Sequence, residues 1–380
     1  MKVISGGVTK PKGFKANALA AGIKRSGKLD LALIVSDVPA VAAAVFTKNS
    51  VKAAPLLVSQ KHLKNSRAQA IVVNSGNANC FTGEFGFIYA QQTTQVIGDL
   101  LGIPSDDVIV TSTGIIGRPL PIEKIKNTAP ALVEGLNRQG AFKAAQAILT
   151  TDLVAKERTV ELTIAGKSVV IGGCAKGSGM IAPNMATMLG FITTDVAISP
   201  KMLKLALKTV NDQTFNSITI DGCMSTNDMV VILANGLAGN KPITAQGKDF
   251  NEFCKGLYEV CCDLAKKIVL DGEGATKFIE INVVGAKTEA QARQIGLAVA
   301  NSNLVKTAIA GSNPNWGRVA AAVGSLGIHG IDEKNLKINF SSFKKKKVSI
   351  TTQLSLGKAN ATVYTSDLTY EYVKINMEYN

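Results

Sequence analysis

Histidine is nearly missing from this chain, with only His62 and His329 among 380 residues. His62 lies in a basic polar stretch and His329 in a Gly-rich turn, and both contexts favour structural roles. A Ser-His-Asp triad needs one of them as its base, so the sequence argues against that arrangement. Any nucleophilic chemistry in this chain therefore requires a base of another kind.

Signals for metal sites, secretion and membrane insertion are also lacking. The six cysteines form no CxxC pair, and with so few histidines a classical zinc site is nearly excluded, so we expect no metal. No window approaches the run of roughly 18 apolar residues that a membrane span needs. The N-terminal residues lack the apolar core of a signal peptide. We therefore expect a cytoplasmic protein with reduced thiols and no membrane contact.

Aromatic residues are few, at 5%, although the net charge is +14. A basic surface of this size is one way to bind nucleic acid through its phosphates. The chain has no recognisable nucleic-acid-binding motif, so we interpret the excess as a solvated basic surface that also attracts anionic metabolites. A basic nucleic-acid-binding protein remains the non-enzymatic alternative.

Apolar runs and amphipathic segments follow each other without a regular βαβ order. The pattern predicts strands at 31–35, 71–74, 108–110, 169–171, 188–193, 217–220, 229–234, 278–283, 348–354 and 361–364. It predicts helices at 87–101, 121–136, 141–149, 200–210 and 250–267, and a hairpin turn at Ala165-Gly166. The predicted fold class is α+β, with mixed layers of helices and strands. The Gly-rich stretch 172–184 is expected to be irregular.

An N-terminal α-amine is a base that a histidine-poor chain can still make. Its unperturbed pKa of about 7.7–8 suits proton transfer near neutrality, and it can activate the hydroxyl of its own residue. Making one in mid-chain requires a backbone cut just before Ser, Thr or Cys. The glycines before Pro183 and the small Ala186 make the bond before Thr187 a plausible place. By composition alone, an Ala-Thr pair before a strand is more often a simple strand entry.

A second segment has the residue types of an oxyanion site. The strand at 108–110 leads into Thr111-Ser-Thr-Gly-Ile-Ile-Gly117, and such a turn can present backbone N–H groups and a hydroxyl to a developing oxyanion. Ser and Thr in this position also serve as helix N-caps, and from spacing alone that interpretation leads.

At these residues the sequence closely resembles the ornithine acetyltransferase (glutamate N-acetyltransferase) family, whose members cleave themselves. The matching motifs run in order along essentially the whole chain. They are SGGVTKPKGFKANALAAGIK at 5–24, VVNSGNAN at 72–79, STGIIG at 112–117, LTTD at 149–152, AKGSGMIAPNMATML at 175–189, STND at 225–228, DGEGATKF at 271–278, PNWGR at 314–318 and YEYVKIN at 370–376.

The resemblance implies an N-terminal-nucleophile type of enzyme that cuts itself between Ala186 and Thr187. It implies an alpha chain of residues 1–186 and a beta chain of residues 187–380, with Thr187 as nucleophile at the new N-terminus. The family's oxyanion-hole positions fall on Thr113 and Gly114. Its substrate-contact positions fall on Thr150, Lys176, Thr187, Glu273 and Asn376.

The implied reaction moves the acetyl group of N2-acetyl-L-ornithine to L-glutamate through an acetyl-Thr187 intermediate, as a step of cyclic arginine biosynthesis. A lysine can pair with the α-carboxylate of the substrate, and a carboxylate such as Glu273 can pair with its δ-ammonium. The resemblance implies no cofactor, with acetyl-CoA as a co-substrate where the enzyme is bifunctional. It also implies a heterotetramer of two alpha and two beta chains from one precursor.

Three features depart from the family pattern. A substrate-contacting Thr or Ser follows the position of Asn380 in the family, so we expect that contact to be missing or supplied differently. Cys223-Met224 replaces the usual Asp-Thr, and Asn313 replaces an Asp, which we interpret as local structural changes. The alternative enzymatic interpretation is a self-cleaving N-terminal-nucleophile aminopeptidase or amidohydrolase.

Overall fold

The computed structural model describes residues 1–181 and 188–378, which divide into two compact units. Unit 1 takes its described residues from Met1–Gly177, Thr187–Asn211 and Ser225–Leu264, and unit 2 from Ser178–Ala186, Asp212–Met224 and Ala265–Asn380.

The strands of the described residues are β1 (Lys2–Ile4), β2 (Phe14–Leu19), β3 (Leu31–Phe46), β4 (Arg67–Asn77), β5 (Val108–Ile115), β6 (Lys156–Ile164), β7 (Lys167–Lys176), β8 (Leu189–Thr194), β9 (Met229–Ala234), β10 (Phe278–Ala286), β11 (Lys337–Phe340), β12 (Lys347–Gln353) and β13 (Ala359–Ser366). The helices are α1 (Ala54–His62), α2 (Gly83–Leu101), α3 (Ile122–Glu134), α4 (Ala141–Ala147), α5 (Pro200–Gln213), α6 (Lys248–Leu270), α7 (Glu289–Asn301), α8 (Asn303–Ala310), α9 (Trp316–Gly324) and α10 (Tyr370–Glu378).

Unit 1 is built on a mixed sheet whose strand order is β1-β6-β7-β8-β9-β3-β4-β5, with β2 paired to β3. The 16-residue strand β3 takes part in both halves of this sheet. Its first part pairs with β2 and β4, and its last part, from Val41 to Phe46, pairs with β9. An irregularity in the register between Val35 and Ala40 marks the change, as expected for a strand that passes from one layer to another.

Alternate residues of β3 and β4 face two different cores, because successive side chains of a strand point to opposite faces. Ala32, Ile34 and Ile71 join the core that also contains Phe191 and Val231 from β8 and β9. The intervening residues join the core under α2 and α3, and they are Leu31, Leu33, Val35, Ala70 and Val72. Unit 1 therefore consists of strand layers with helices packed outside them.

Helix α6 packs on β6 and β7 through small residues on both elements. A Cβ at Gly256 would touch the side chains of Leu162 and Ile171, and a Cβ at Gly173 would touch Val260 and Leu264. The glycines thus allow close approach of helix and sheet, which larger residues would prevent. Helix α6 belongs to unit 1 up to Leu264 and to unit 2 from Ala265.

Unit 2 has a four-stranded sheet of order β11-β12-β10-β13, in which β10 runs parallel to β12 and antiparallel to β13. One face carries helices α7, α8 and α9, whose residues Ile295, Val299, Val305 and Val323 share a core with Ile281 of β10. All residues of this apolar core belong to unit 2.

The predicted α+β class is confirmed, and so are the hairpin at Ala165-Gly166, where β6 pairs antiparallel with β7, and the long helices. Two predictions were wrong. Residues 217–220 contribute one bridge, from Ile218 to Tyr364, instead of a strand. Residues 172–176 continue β7 regularly, because Gly172 and Gly173 are needed for tertiary contacts and do not break the strand.

Within the described residues, no helix combines the length and the apolarity needed to cross a membrane. The alpha and beta chains at 1–186 and 187–380 are defined by a backbone cut and not by packing, so that division stays a prediction beside the two units.

Candidate active site

Thr113 and Gly114 lie near the end of β5, in unit 1. Gly114 has a φ of +133° and stands opposite Gly76 of β4 in the parallel register. A Cβ at Gly114 would collide with the backbone of Gly76 and Asn77. Only glycine permits this approach, so the two strand ends are held backbone to backbone at the predicted oxyanion residues. The helix-cap alternative does not apply, since the next helix begins at Ile122.

Asparagine side chains brace this strand end. Asn74 accepts a hydrogen bond from the Ser112 hydroxyl at 2.5 Å and donates to the Asn77 carbonyl at 2.8 Å. Asn227 donates to the carbonyls of Ala78 at 2.6 Å and Ser112 at 2.8 Å. Both carboxamides are buried, so these bonds are shielded from water and fix the segment.

Asp228 lies next to the first described residue after the predicted cleavage site. Its Oδ1 accepts the backbone N–H of Met188 at 3.0 Å, and the Met188 carbonyl accepts from the Met229 N–H at 3.2 Å. The side chain is 1% exposed. Burial raises the pKa of Asp228 well above its ordinary value, and the Met188 N–H offsets that shift only in part. The start of β8 is thus held by a buried carboxyl group.

Lys176, at the end of β7, is brought to Thr150 by a network around one buried carboxylate. The Lys176 Nζ donates to Thr150 Oγ1 at 2.7 Å and lies 3.7 Å from Asp152 Oδ2. Asp152 also accepts from Lys156 Nζ at 2.7 Å and from the Gly177 N–H at 2.7 Å. Burial by itself raises the pKa of Asp152, but Lys176, Lys156 and these bonds outweigh it and lower that pKa to about 2.

Unit 2 brings Glu273 and Asn376 together. Asn376 Nδ2, on α10, donates to Glu273 Oε2 at 2.8 Å, and the Glu273 N–H donates to the Ser178 carbonyl at 2.9 Å. A Cβ at Gly179 would collide with the Glu273 carboxylate, so that carboxylate rests directly on the glycine backbone. Glu273 is 9% exposed, which makes it a nearly buried and oriented anion.

Asp221 holds the chain that leads toward the predicted cleavage site. It accepts the backbone N–H groups of Met180 at 2.5 Å and Ile181 at 2.9 Å, and the Tyr372 hydroxyl at 3.1 Å. Met180 has a φ of +56°, a conformation that a non-glycine residue adopts at a cost in free energy. The backbone up to Ile181 is therefore fixed by a side chain, with local strain at Met180.

The predicted residues thus fall into three groups. Thr113, Gly114, Thr150 and Lys176 belong to unit 1, while Glu273 and Asn376 belong to unit 2. Ala186 and Thr187 lie outside the described residues, as does Asn380. The roles of all of these residues stay predictions.

The sequence interpretation did not name four residues that brace the site, Asn74, Asp152, Asn227 and Asp228. All four lie inside matched motifs, and their position there could have pointed to them. His62 is buried and bonds the Val108 carbonyl at 2.9 Å, in keeping with a structural role, and His329 is exposed. Among the described residues, no three His, Cys, Asp or Glu side chains are arranged to hold a metal ion.

Comparison with known proteins identifies the family. The ArgJ family model matches residues 15–380. The chain is 46% identical to the arginine biosynthesis bifunctional protein ArgJ of Geobacter sulfurreducens, over 97% of this chain and 99% of that protein. It is 47% identical to the protein of the same name from Gloeobacter violaceus, over 99% of this chain and 98% of that protein.

A crystal structure of ornithine acetyltransferase from Mycobacterium tuberculosis, complexed with ornithine, is also similar. It is 38% identical, covers 48% of this chain and 97% of that chain, and has a TM-score of 0.43. By the family model and the full-length relatives, this chain belongs to the ArgJ family of arginine biosynthesis and is an acyltransferase.

Proposed function

We propose that the chain transfers the acetyl group of N2-acetyl-L-ornithine to L-glutamate through an acetyl-Thr187 intermediate. Before this it cuts itself between Ala186 and Thr187, which gives Thr187 a free α-amine. The family assignment supports the reaction class, and the residues of the two units support the substrate class.

The observation that carries the proposal is the buried Lys176 ammonium, held on Thr150 Oγ1 at 2.7 Å and only 3% exposed. A buried cation of this kind suits a carboxylate ligand, since charge-assisted hydrogen bonds are strong where water is excluded. The Glu273 carboxylate, oriented by Asn376, suits a ligand ammonium. N-acetylornithine carries both complementary groups, an α-carboxylate and a δ-ammonium.

In the first half-reaction, the α-amine of Thr187 takes the proton of its own hydroxyl, and Oγ1 attacks the acetyl carbonyl carbon. Thr113 and Gly114 stabilise the tetrahedral oxyanion, a role in which one donor is worth about 2.7–4 kcal/mol. The C–N bond to ornithine then breaks, the proton passes to the departing amine, and acetyl-Thr187 remains.

In the second half-reaction, the α-amine of glutamate attacks the acetyl ester, and the steps run in reverse to release N-acetylglutamate. One pocket can serve both acceptors because ornithine and glutamate present the same α-amine and α-carboxylate. No resident cofactor takes part in this scheme.

A second activity is favoured by the name of the relatives, which are called bifunctional. We propose that acetyl-CoA can also acetylate Thr187, which would make N-acetylglutamate without N-acetylornithine. The test measures release of the free thiol of CoA from acetyl-CoA in the presence of glutamate. We expect the parent protein to release it and a Thr187→Ala variant not to. We further propose an assembly of two alpha and two beta chains and a cytoplasmic location.

The decisive test is a denaturing gel with mass measurement of the purified protein. The proposal expects chains of residues 1–186 and 187–380, and one added acetyl group on the second chain after mixing with N-acetylornithine alone. Thr187→Ala should give one intact chain without activity. A fully active protein that consists of one unbroken chain would overturn the mechanism.

Two rival functions are separated by substrate assays. Peptide or amide hydrolysis without acetyl transfer to glutamate would favour the self-cleaving aminopeptidase. Tight, steeply salt-dependent binding of nucleic acid without transferase activity would favour a basic binding protein.

A further inference from the structure

Lys24 lies at the junction of the two parts of the candidate site in unit 1. Its side chain runs against Gly76, where a Cβ would stand 2.9 Å from Lys24 Cγ. Gly76 is the residue opposite Gly114 in the register of β4 and β5. Lys24 also interacts electrostatically with Lys176 and Asp152. Lys24 therefore lies beside Gly76, opposite the predicted oxyanion residue Gly114, and near Lys176 and Asp152.

The loop around Lys24 is fixed by Asp30, a fully buried carboxylate. Asp30 accepts the backbone N–H groups of Ala21 at 2.6 Å, Ile23 at 2.6 Å and Lys24 at 2.9 Å. These three bonds use both carboxylate oxygens on the backbone. Asp30 thus sets the position of Lys24 without forming a direct ion pair with its ammonium group.

The Lys24 ammonium group has one more N–H bond than it has carbonyl acceptors. Its Nζ donates to the Leu29 carbonyl at 2.8 Å and, more weakly, to the Ala147 carbonyl at 3.4 Å. An ammonium group has three N–H bonds, so one remains for a ligand.

The ammonium groups in this part of unit 1 lie near carboxyl groups that are largely engaged elsewhere. Asp152 contacts Lys156 at 2.7 Å and lies 3.7 Å from Lys176. Asp30 uses both oxygens on backbone N–H groups, and burial raises the pKa of Asp228, which favours its neutral form. A carboxylate ligand would therefore stabilise the ammonium groups of Lys24 and Lys176.

We propose that Lys24 is a substrate-binding residue, the second cation of a carboxylate site that it forms with Lys176. The site takes the α-carboxylate that N-acetylornithine and glutamate share. This inference rests on the proposed function and adds to it a residue to which neither the family resemblance nor its motifs assign a role.

The experiment compares N2-acetyl-L-ornithine with its α-carboxamide as acetyl donors. The variants are Lys24→Gln, which keeps N–H donors for the two carbonyls but removes the charge, and Lys24→Arg, which keeps the charge. Lys28→Met is the matched control, because Lys28 is an exposed cation of the same loop. Release of ornithine, or of its amide, is measured without glutamate over a range of donor concentrations, and acetyl transfer to glutamate is measured separately.

We expect Lys24→Gln to lower kcat/KM for the carboxylate donor by about 10- to 100-fold, mainly through KM. The kcat/KM for the carboxamide donor should change by less than about threefold, because its neutral amide forms no ion pair with Lys24 that the substitution could remove. Lys24→Arg should recover most of the loss, and Lys28→Met should behave as the parent protein with both donors.

An equal loss with both donors, or no loss, would overturn the proposal and leave Lys24 a purely structural residue. A loss confined to the glutamate step would overturn the assignment to the α-carboxylate, since it would point to the γ-carboxylate instead. If Lys24→Gln does not fold, Lys24→Met provides a second neutral side chain with the same stem. A parent protein that releases no ornithine would refute the proposed function itself, whatever the variants do.

Discussion

Asp228 Oδ1 accepts the backbone N–H of Met188 at 3.0 Å, while its other carboxylate oxygen, Oδ2, has no hydrogen-bond partner in the described part of the chain. A buried carboxyl group with one unsatisfied oxygen costs stability when it is ionised. This carboxyl group lies where the beta chain of the proposed enzyme begins. It holds the start of β8 but lowers the stability of the folded protein when it is ionised.

The first prediction concerns the stability of Asp228→Asn as a function of pH. Because the folded-state pKa of Asp228 is raised, its contribution to stability is complete below the ordinary carboxyl pKa and is lost as pH rises through the folded value. The parent protein should therefore lose up to about 1.4 kcal/mol per pH unit within that window. Asp228→Asn keeps an oxygen for Met188 and should not show this loss.

Thermal and denaturant unfolding across the acid-to-neutral range measures the difference. Asp99→Asn, at an exposed position of α2, is the control and should leave the pH dependence of the parent protein unchanged. Parallel pH curves for the parent and Asp228→Asn would contradict the prediction.

The second prediction concerns the close approach of Gly179 and Glu273. Gly179→Ala should displace the Glu273 carboxylate, since the new methyl group would occupy its place. We expect kcat/KM for N-acetylornithine to fall by about 10-fold or more, because a misplaced ligand anchor loses a charge-assisted contact. Steady-state kinetics with N-acetylornithine measures the effect.

Gly324→Ala is the matched control in the same unit, because a Cβ there would meet open space. It should leave activity unchanged and raise the unfolding temperature slightly, because alanine forms helix better than glycine. Full activity in Gly179→Ala would show that the position of Glu273 does not matter for the reaction.

The third prediction concerns the bond from Lys176 to Thr150. Thr150→Val removes the hydroxyl acceptor but keeps the shape, and it leaves a buried ammonium with one partner fewer. The loss should raise KM for N-acetylornithine and for glutamate by about 10- to 100-fold, in line with about 1.5–3 kcal/mol for a hydrogen bond to a charged group. Thr150→Ser restores the acceptor and should recover most of the affinity.

Steady-state kinetics of both half-reactions, on protein with an unchanged unfolding temperature, provides the measurement. A Thr150→Val variant with ordinary KM values for both substrates would exclude this residue from the substrate site.

The fourth prediction concerns the pH profile of kcat/KM. Burial lowers the pKa of Lys24 to about 8, with Lys176 and Lys28 adding to the shift and Asp30 and Asp152 opposing it. Lys24 is charged below that pH and neutral above it, so affinity for a carboxylate should fall as pH rises past about 8. The α-amine of Thr187 must be neutral to act as a base, so activity should rise on the acid side.

The expected profile is therefore a bell, and Lys24→Arg should lose its alkaline limb because arginine stays charged. Rates with N-acetylornithine from pH 6 to 10 measure this, with Lys28→Met as the control that retains the bell. An alkaline limb that persists unchanged in Lys24→Arg would assign it to another group.

The fold class could be predicted from the sequence because apolar periodicity reports directly on which face of an element is buried. Strand β9 was predicted with its observed bounds, and α2, α3, α5 and α6 were each found within a few residues. Residues 172–176 form a strand where an irregular segment was predicted, and residues 217–220 form no strand where one was predicted. The glycines of β7 are required by close contacts with residues that are remote in sequence. The apolar run at 217–220 forms a single bridge and no strand.

The candidate site was predicted unevenly. Thr150 and Lys176 were named from matched motifs, and their hydrogen bond connects residues 26 positions apart. Lys24, Asp152 and Asp228 were not named, although all three lie within those motifs. A lysine or aspartate in a motif looks the same in sequence whether it caps a loop, pairs with a cation or contacts a ligand.

The near absence of histidine, the α+β class and the family all follow from composition, periodicity and long ordered motifs, which need no coordinates. Which charged groups share a buried environment depends on the folded chain. Burial and the partners that come from distant strands set the pKa values of Lys24, Asp152 and Asp228, and neither can be counted along the chain.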